Sequence, residues 1–222
     1  MSETPNTANT PGAPAPPPIS SLRLMSTMGG AGALAGLLIV AVYQLTLPTV
    51  QANRAARLET AIHQVLPGIA RYDTLYLHEG ALTATLPASA DARKLEKVYD
   101  GVDDAGRRVG FAIPATQPGF QDAIDVIFGF DPGKPGTLGL VILSSRETPG
   151  LGDKIEGPGW LAQFAGASTP LSPVKAGAAQ EPDDVAMITG ATISSRTVIA
   201  AINSALDRWT PILAAYRDGG RP

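Results

Sequence analysis

Hydrophobic and polar positions divide the chain into three stretches. Residues 1–20 are rich in Pro, Thr, Ala and Ser and hold almost no large apolar side chain. Such a segment cannot bury a core and reads as a disordered tail. No charged residue lies between Arg23 and Arg54, and residues 24–47 are mostly apolar. That run reaches the roughly 20 residues a helix needs to cross a bilayer. Beyond residue 50 the pattern is that of a globular domain. Ala55, Leu58, Ile62, Val65 and Leu66 recur at helical spacing, and Pro67-Gly68 ends that helix.

Strand-like runs follow over 72–78, 95–102, 108–113, 123–130 and 138–144. Turn residues separate them, notably 103–106 and 131–136. Short turns favour antiparallel pairing, because parallel strands need long crossovers. A brief helix is expected around 160–164, a loop over 171–182, and a short apolar stretch over 185–188. Val198, Ile199, Ile202, Leu206 and Trp209 then mark a helix that ends before Pro211, with a short helix over 211–217. The fold class is α+β: a single N-terminal transmembrane helix, then one mainly antiparallel sheet domain with flanking helices. The expected boundaries are a tail over 1–22, a membrane helix over 23–48 and a folded domain over 49–222.

The apolar run also admits a signal-peptide reading, with Val50-Gln51-Ala52 as cleavage site. It starts late and exceeds the 7–15 residues of a signal core, which favours a retained anchor. Gly32 and Gly36 form a Gly-x-x-x-Gly spacing, which seats a neighbouring helix or simply reflects the small residues common in membrane helices. Charge leaves the orientation open: Arg23 precedes the run, and Arg54 and Arg57 follow it.

Composition narrows the chemistry. The net charge is −3 and no basic stripe is visible, which argues against nucleic acid. There is no cysteine, which removes disulfides, thiolate-held iron–sulfur clusters and Cys zinc sites. His63 and His78 are the two histidines and lack visible partners, so no metal site is expected. A redox protein with this inventory must borrow an organic cofactor.

The chain is organised around Ile188-Thr189-Gly190-Ala191-Thr192-Ile193-Ser194-Ser195. The apolar stretch before it leads into small residues that let another group approach the backbone. The helix after it places Thr192 at or beside an N-cap. Helix N-termini carry open N–H groups and the positive end of a dipole, which favours a phosphate. Local physics also admits a plain Thr/Ser cap with no ligand. A second Gly-rich segment, Glu147-Thr148-Pro149-Gly150-Leu151-Gly152-Asp153-Lys154-Ile155, follows a predicted strand.

Thr189-Gly190-Ala191-Thr192-Ile193-Ser194-Ser195 resembles the flavinylation motif of the FMN-binding domains in RnfG and NqrC, and the Glu147–Ile155 segment resembles the Glu-Thr-Pro-Gly-Leu-Gly loop of RnfG-type subunits. The likeness spans roughly residues 23–209. It implies FMN held covalently by a phosphoester to Thr192, with Thr189, Gly190, Ala191, Ser194 and Ser195 around it. It also implies that Glu147, Thr148, Gly150, Leu151, Gly152 and Lys154 lie near the isoalloxazine. By the same likeness the chain carries electrons within an Rnf-type ion-translocating membrane complex, without itself supplying a catalytic residue. Its partners would be other membrane subunits and, for maturation, a flavin transferase. The domain would face the periplasm from a bacterial inner membrane. An NqrC-like subunit and a non-redox membrane-anchored scaffold are the alternatives. Gly119-Phe120-Gln121 is similar to the family's Gly-Tyr-x-Gly, with Phe120 for Tyr and Asp122 where a Gly is common. Where the family often has an acidic residue three positions before the motif, this chain has Ala186, with Asp183 and Asp184 slightly earlier. Lys154 and Arg196 are candidate cations for the phosphate, Arg196 being nearer to Thr192 in sequence but turned outward by helical periodicity.

Overall fold

A computed structural model describes residues 20–86, 91, 94–134 and 136–219. The expected tail over 1–22 lies, up to residue 19, outside the described residues. The chain forms two compact units, Met1–Ala52 and Asn53–Pro222.

One helix, α1, runs through Ser21–Val65 with Pro48 inside it. The sequence pattern predicted two helical stretches here. A proline removes one backbone bond, and helix-forming residues on both sides carry the helix past it. Among the described residues α1 is long and apolar enough to cross a membrane, and the apolar side chains of its first unit, such as Leu37 and Ile39, are exposed.

The second unit is built on a six-stranded sheet. Its strands are β1 (Arg71–His78), β2 (Ala81–Thr83), β3 (Lys97–Val102), β4 (Arg108–Pro118), β5 (Ala123–Phe130) and β6 (Thr137–Ser144). Their order is β2-β1-β3-β4-β5-β6 and every pairing is antiparallel. Phe111 and Ile113 of β4 face one way and Ala112 the other, as strand pleating requires. The Phe111 face packs under α3 (Thr192–Gly219), through Val198, Ile202, Leu206 and Trp209. The Ala112 face packs under the end of α1, through Ala61, Ile62 and Val65, with Tyr99 and Ile127. Phe111 and Ile202 have no exposed surface; burying side chains of this size contributes about 1.5–3 kcal/mol each.

Besides the unbroken α1 and the short added strand β2, other features depart from the expected pattern. β7 (Ser172–Val174) and β8 (Asp184–Ala186) pair in parallel, where β7 was expected to be loop. Three-residue strands carry too little alternation to read. The helix expected near Trp160 is α2 (Pro158–Leu161), flanked by 3-10 turns over Gly152–Glu156 and Ala162–Phe164. Finally, α3 continues through Pro211 instead of breaking there. Leu213 is fully buried beyond the proline and Tyr216 packs edge-on against Phe111, so tertiary burial outweighs the proline's cost.

Tyr99 gives the domain a pH signature. Burial, with Tyr72 and Tyr76 nearby, pushes its phenol up to about 12. A folded-state value above the unfolded one, about 10, means the fold favours the neutral phenol. That stability is whole below pH 10 and drains away as pH rises toward 12. Tyr99→Phe should therefore lose less melting temperature than the wild type between pH 9 and pH 11. Parallel losses in the two proteins would place the alkaline sensitivity elsewhere.

Candidate functional site

Three segments converge at one end of the sheet: the turn between β4 and β5, the loop after β6, and the start of α3. Glu147 joins them. Its side chain is buried, at 6% exposure. Oε1 accepts the backbone N–H groups of Phe120 at 2.8 Å and Gln121 at 3.1 Å. Oε2 accepts the Ser194 hydroxyl at 2.6 Å. A buried carboxylate costs several kcal/mol unless its oxygens are satisfied, and here three donors from two distant segments meet it. The glycines on either side leave the room. A Cβ on Gly152 would sit 2.7 Å from the Glu147 Cβ, and one on Gly119 2.5 Å from Oε1. Gly152 is thus needed to admit Glu147.

The start of α3 sorts the hydroxyls of the 189–195 segment. Gly190, at φ +85°, makes a turn closed by the Ala191 N–H donating to the Ile188 carbonyl at 3.0 Å. Thr192 is the first residue of α3 and Ala191 holds the cap position before it, so Thr192 stands beside the N-cap, one of the two placements the local pattern allows. Alanine has no side-chain acceptor, and the first intrahelical bond is that of the Ser195 N–H to the Ala191 carbonyl. The N–H groups of Thr192, Ile193 and Ser194 precede that bond and lack helical partners. Ser194 is buried and committed to Glu147. Ser195 is fully buried, donating to the Ala191 carbonyl at 2.9 Å and accepting the Ile188 N–H at 3.1 Å. Thr189 and Thr192 are exposed. Of those two, Thr192 lines the adjoining cavity.

That cavity holds about 350 Å³. Its walls come from Glu147, Thr148, Leu151 and Gly152 of the loop, from Gly190, Ala191, Thr192 and Ser194, and from Phe120 and Ile193. The rim is apolar and open to solvent: Phe120 is 64% exposed, Ile193 54% and Leu151 48%. Thr148 faces the opening, its Oγ1 accepting the Gln121 side-chain N–H at 3.1 Å. Four residues of the expected set stand off the walls. Thr189 and Gly150 are exposed beside it, Ser195 lies in the helix interior, and Lys154 is exposed on the 3-10 turn. Ile193 was missed because helical periodicity marks it as a solvent position, and an exposed isoleucine on the first turn was the available signal. Arg196 stands on the same face as Thr192, one turn later and likewise exposed. Its exposure is the outward placement expected of it, and it does not line the cavity. Upstream, Asp184 is held well below the usual carboxylate range by the backbone N–H groups of Gln180 and Glu181, a local structural role.

The arrangement fits an anionic group on an aromatic body. Open N–H groups and Arg196 suit a phosphate, a free hydroxyl stands beside them, and the apolar rim suits a flat ring system.

Comparison with known proteins agrees with this chemistry. The FMN-binding domain family matches residues 119–207, a span that takes in all three converging segments. The chain is 28% identical over 188 residues to the G subunit of the ion-translocating oxidoreductase complex from Methanosarcina acetivorans, covering 83% of this chain and 92% of that one. It is 31% identical over 173 residues to the Escherichia coli protein of the same name, covering 76% and 81%. It is also 31% identical over 177 residues to that of Shewanella baltica, covering 76% and 80%. The crystal structure of Shewanella oneidensis NqrC superposes with a TM-score of 0.60 at 18% identity, over 74% of this chain and 99% of that one, which shows a shared fold.

Proposed function

From the premise that this chain belongs to the family of ion-translocating oxidoreductase G subunits, we propose that it is an electron-carrying subunit of such a membrane complex and bears FMN as a phosphoester on Thr192. The observation that carries the attachment site is the sorting of hydroxyls: Ser194 and Ser195 are buried and engaged, and Thr192 is exposed in the cavity wall. Thr192 Oγ1 attacks the flavin-side phosphorus of FAD, the pyrophosphate bond breaks, and AMP leaves. The hydroxyl proton passes to a base on a separate flavin transferase, since this site presents no base beside Thr192. The resulting phosphodiester keeps one negative charge, met by the N–H groups of the first turn of α3 and by Arg196. Bound there, the flavin supplies reversible electron uptake and release. The protein's residues would hold and orient it: Phe120, Leu151 and Ile193 of the apolar rim would take the ring system, and the Thr148 hydroxyl would offer it a hydrogen bond.

The test is the intact mass of the full chain expressed with and without a competent transferase. A gain of one FMN less one water, present only with the transferase, is expected. An unmodified chain under those conditions would leave a membrane-anchored scaffold as the reading. Thr148→Ala should keep the adduct and shift the flavin absorbance or midpoint potential; an unchanged spectrum and potential would remove Thr148 from the ring.

The partners in this reading are the other membrane subunits of the complex. The relatives' shared name, together with the loop Glu147-Thr148-Pro149-Gly150-Leu151-Gly152, favours an Rnf-type complex over an Nqr-type one. The chain is retained by α1 in a bacterial inner membrane with its folded unit in the periplasm. Protease added to intact spheroplasts should then digest that unit, and its protection would reverse the topology.

A further inference from the structure

The turn between β4 and β5 reaches the loop after β6 through a residue that stands outside the cavity wall. Gln121 is exposed, and its backbone N–H ends on Glu147 Oε1 at 3.1 Å. Its side-chain amide crosses to the next residue of the loop, where Nε2 donates to Thr148 Oγ1 at 3.1 Å. Thr148 is half-buried and lines the cavity. Its carbonyl accepts the N–H groups of Leu151 at 3.1 Å and Asp153 at 3.4 Å, which tie down the backbone that carries the hydroxyl.

A hydroxyl has one proton and two lone pairs, and its proton turns to suit its neighbours. The Gln121 amide occupies one lone pair of Thr148 Oγ1. Two protons cannot share that line, so the O–H bond of Thr148 is turned away from Gln121. The neighbouring carboxylate, Glu147, already accepts from Phe120, Gln121 and Ser194. Among the described residues no acceptor takes the Thr148 proton, which is left for the cavity that Thr148 lines. Accepting one hydrogen bond also polarises the hydroxyl and strengthens its own donation by about 10–30%.

We propose that Gln121 is a positioning residue for the bound flavin and acts through Thr148. By donating to Oγ1 it fixes the hydroxyl as a donor toward the cavity. Reduction adds electron density to the nitrogens and oxygens of a flavin ring. A donor held in place before the electron arrives stabilises that density without having to reorganise, so Gln121 raises the midpoint potential. Without the amide, the hydroxyl is free to accept as well as donate, and the bias toward the reduced form is lost. The inference rests on the flavin reading above and adds to it the residue that sets how readily the flavin takes electrons.

The full chain loaded by a competent transferase tests it, read as the ratio of reduced to oxidised flavin at a fixed applied potential. Gln121→Met keeps the length of the side chain and the backbone bond to Glu147 and removes the amide. The adduct mass should stay, and the ratio should fall roughly threefold, the scale of one hydrogen bond. Gln121→Glu places a carboxylate there, which only accepts. The Thr148 proton should turn to it, and the ratio should fall further, about tenfold. In a Thr148→Ala background, Gln121→Met should change nothing, because the residue it acts through is gone. An unchanged ratio in Gln121→Met, with Thr148→Ala shifted, would overturn the proposal and leave Thr148 acting alone. So would an equal shift from Gln121→Met with and without the Thr148 hydroxyl, because Gln121 would then act by a contact of its own. A wild-type chain that gains no flavin mass would instead remove the flavin reading, and this role of Gln121 with it.

Discussion

On the attachment proposed above, Thr192→Val should abolish the covalent flavin while the protein folds as before. Valine keeps the branched shape and removes only the hydroxyl. Thr192 is exposed at the first position of α3 and Ala191 occupies the cap, so no capping bond is at risk. A solvent-facing change of this kind moves stability by less than about 0.5 kcal/mol. The intact mass should drop by the whole adduct. Electron transfer through the complex should fail with it. Thr192→Ser keeps a hydroxyl in the cavity wall and should retain part of the modification. Thr189→Val removes the other exposed hydroxyl and should retain all of it. Fragment masses that placed the flavin on Thr189 would show that exposure alone, and not the cavity, selects the acceptor.

The second large effect is expected at Glu147. Glu147→Ala strands the Phe120 and Gln121 N–H groups and the Ser194 hydroxyl, all of which end on its carboxylate. Hydrogen bonds to a charged group are worth about 1.5–3 kcal/mol each, and water entering the gap recovers part of the loss. A fall of about 3–5 kcal/mol is expected, the scale at which buried charged partners are broken. In a unit of this size that lowers the melting temperature by about 10 °C. Glu147→Gln is the informative companion. Its carbonyl oxygen still accepts the two N–H groups, and the Ser194 hydroxyl can rotate to accept from its amide. Most of the stability and the flavin loading should return. If Glu147→Ala melted within a degree or two of the wild type, the three segments would be held together by their apolar contacts instead.

The sequence made the long elements legible because their periods are clean. The apolar run inside α1, the seam of α3 from Val198 to Trp209 and the five long strands all follow from alternation or helical spacing. What escaped depends on contacts between distant residues. Pro211 reads as a break until Leu213 and Tyr216 are seen packed beyond it. The motif at 147–152 pointed to the right place, yet its logic lies 27 residues upstream at Phe120 and 47 downstream at Ser194. Spacing along the chain cannot reveal that a glycine exists to make room for a carboxylate. The hydroxyls at 192, 194 and 195 look alike as letters, and only burial separates them.

The sheet is a β1–β2 hairpin beside a succession of neighbouring hairpins from β3 to β6, whereas the helix that completes the cavity comes last in the chain. During synthesis, which runs from the N-terminus, the strands can pair long before Ser194 arrives to meet Glu147. A transferase that recognises the cavity then has nothing to grip on a nascent or truncated chain. On the attachment proposed above, flavin loading would be a mark of finished folding, and incomplete copies would enter assembly colourless and redox-silent.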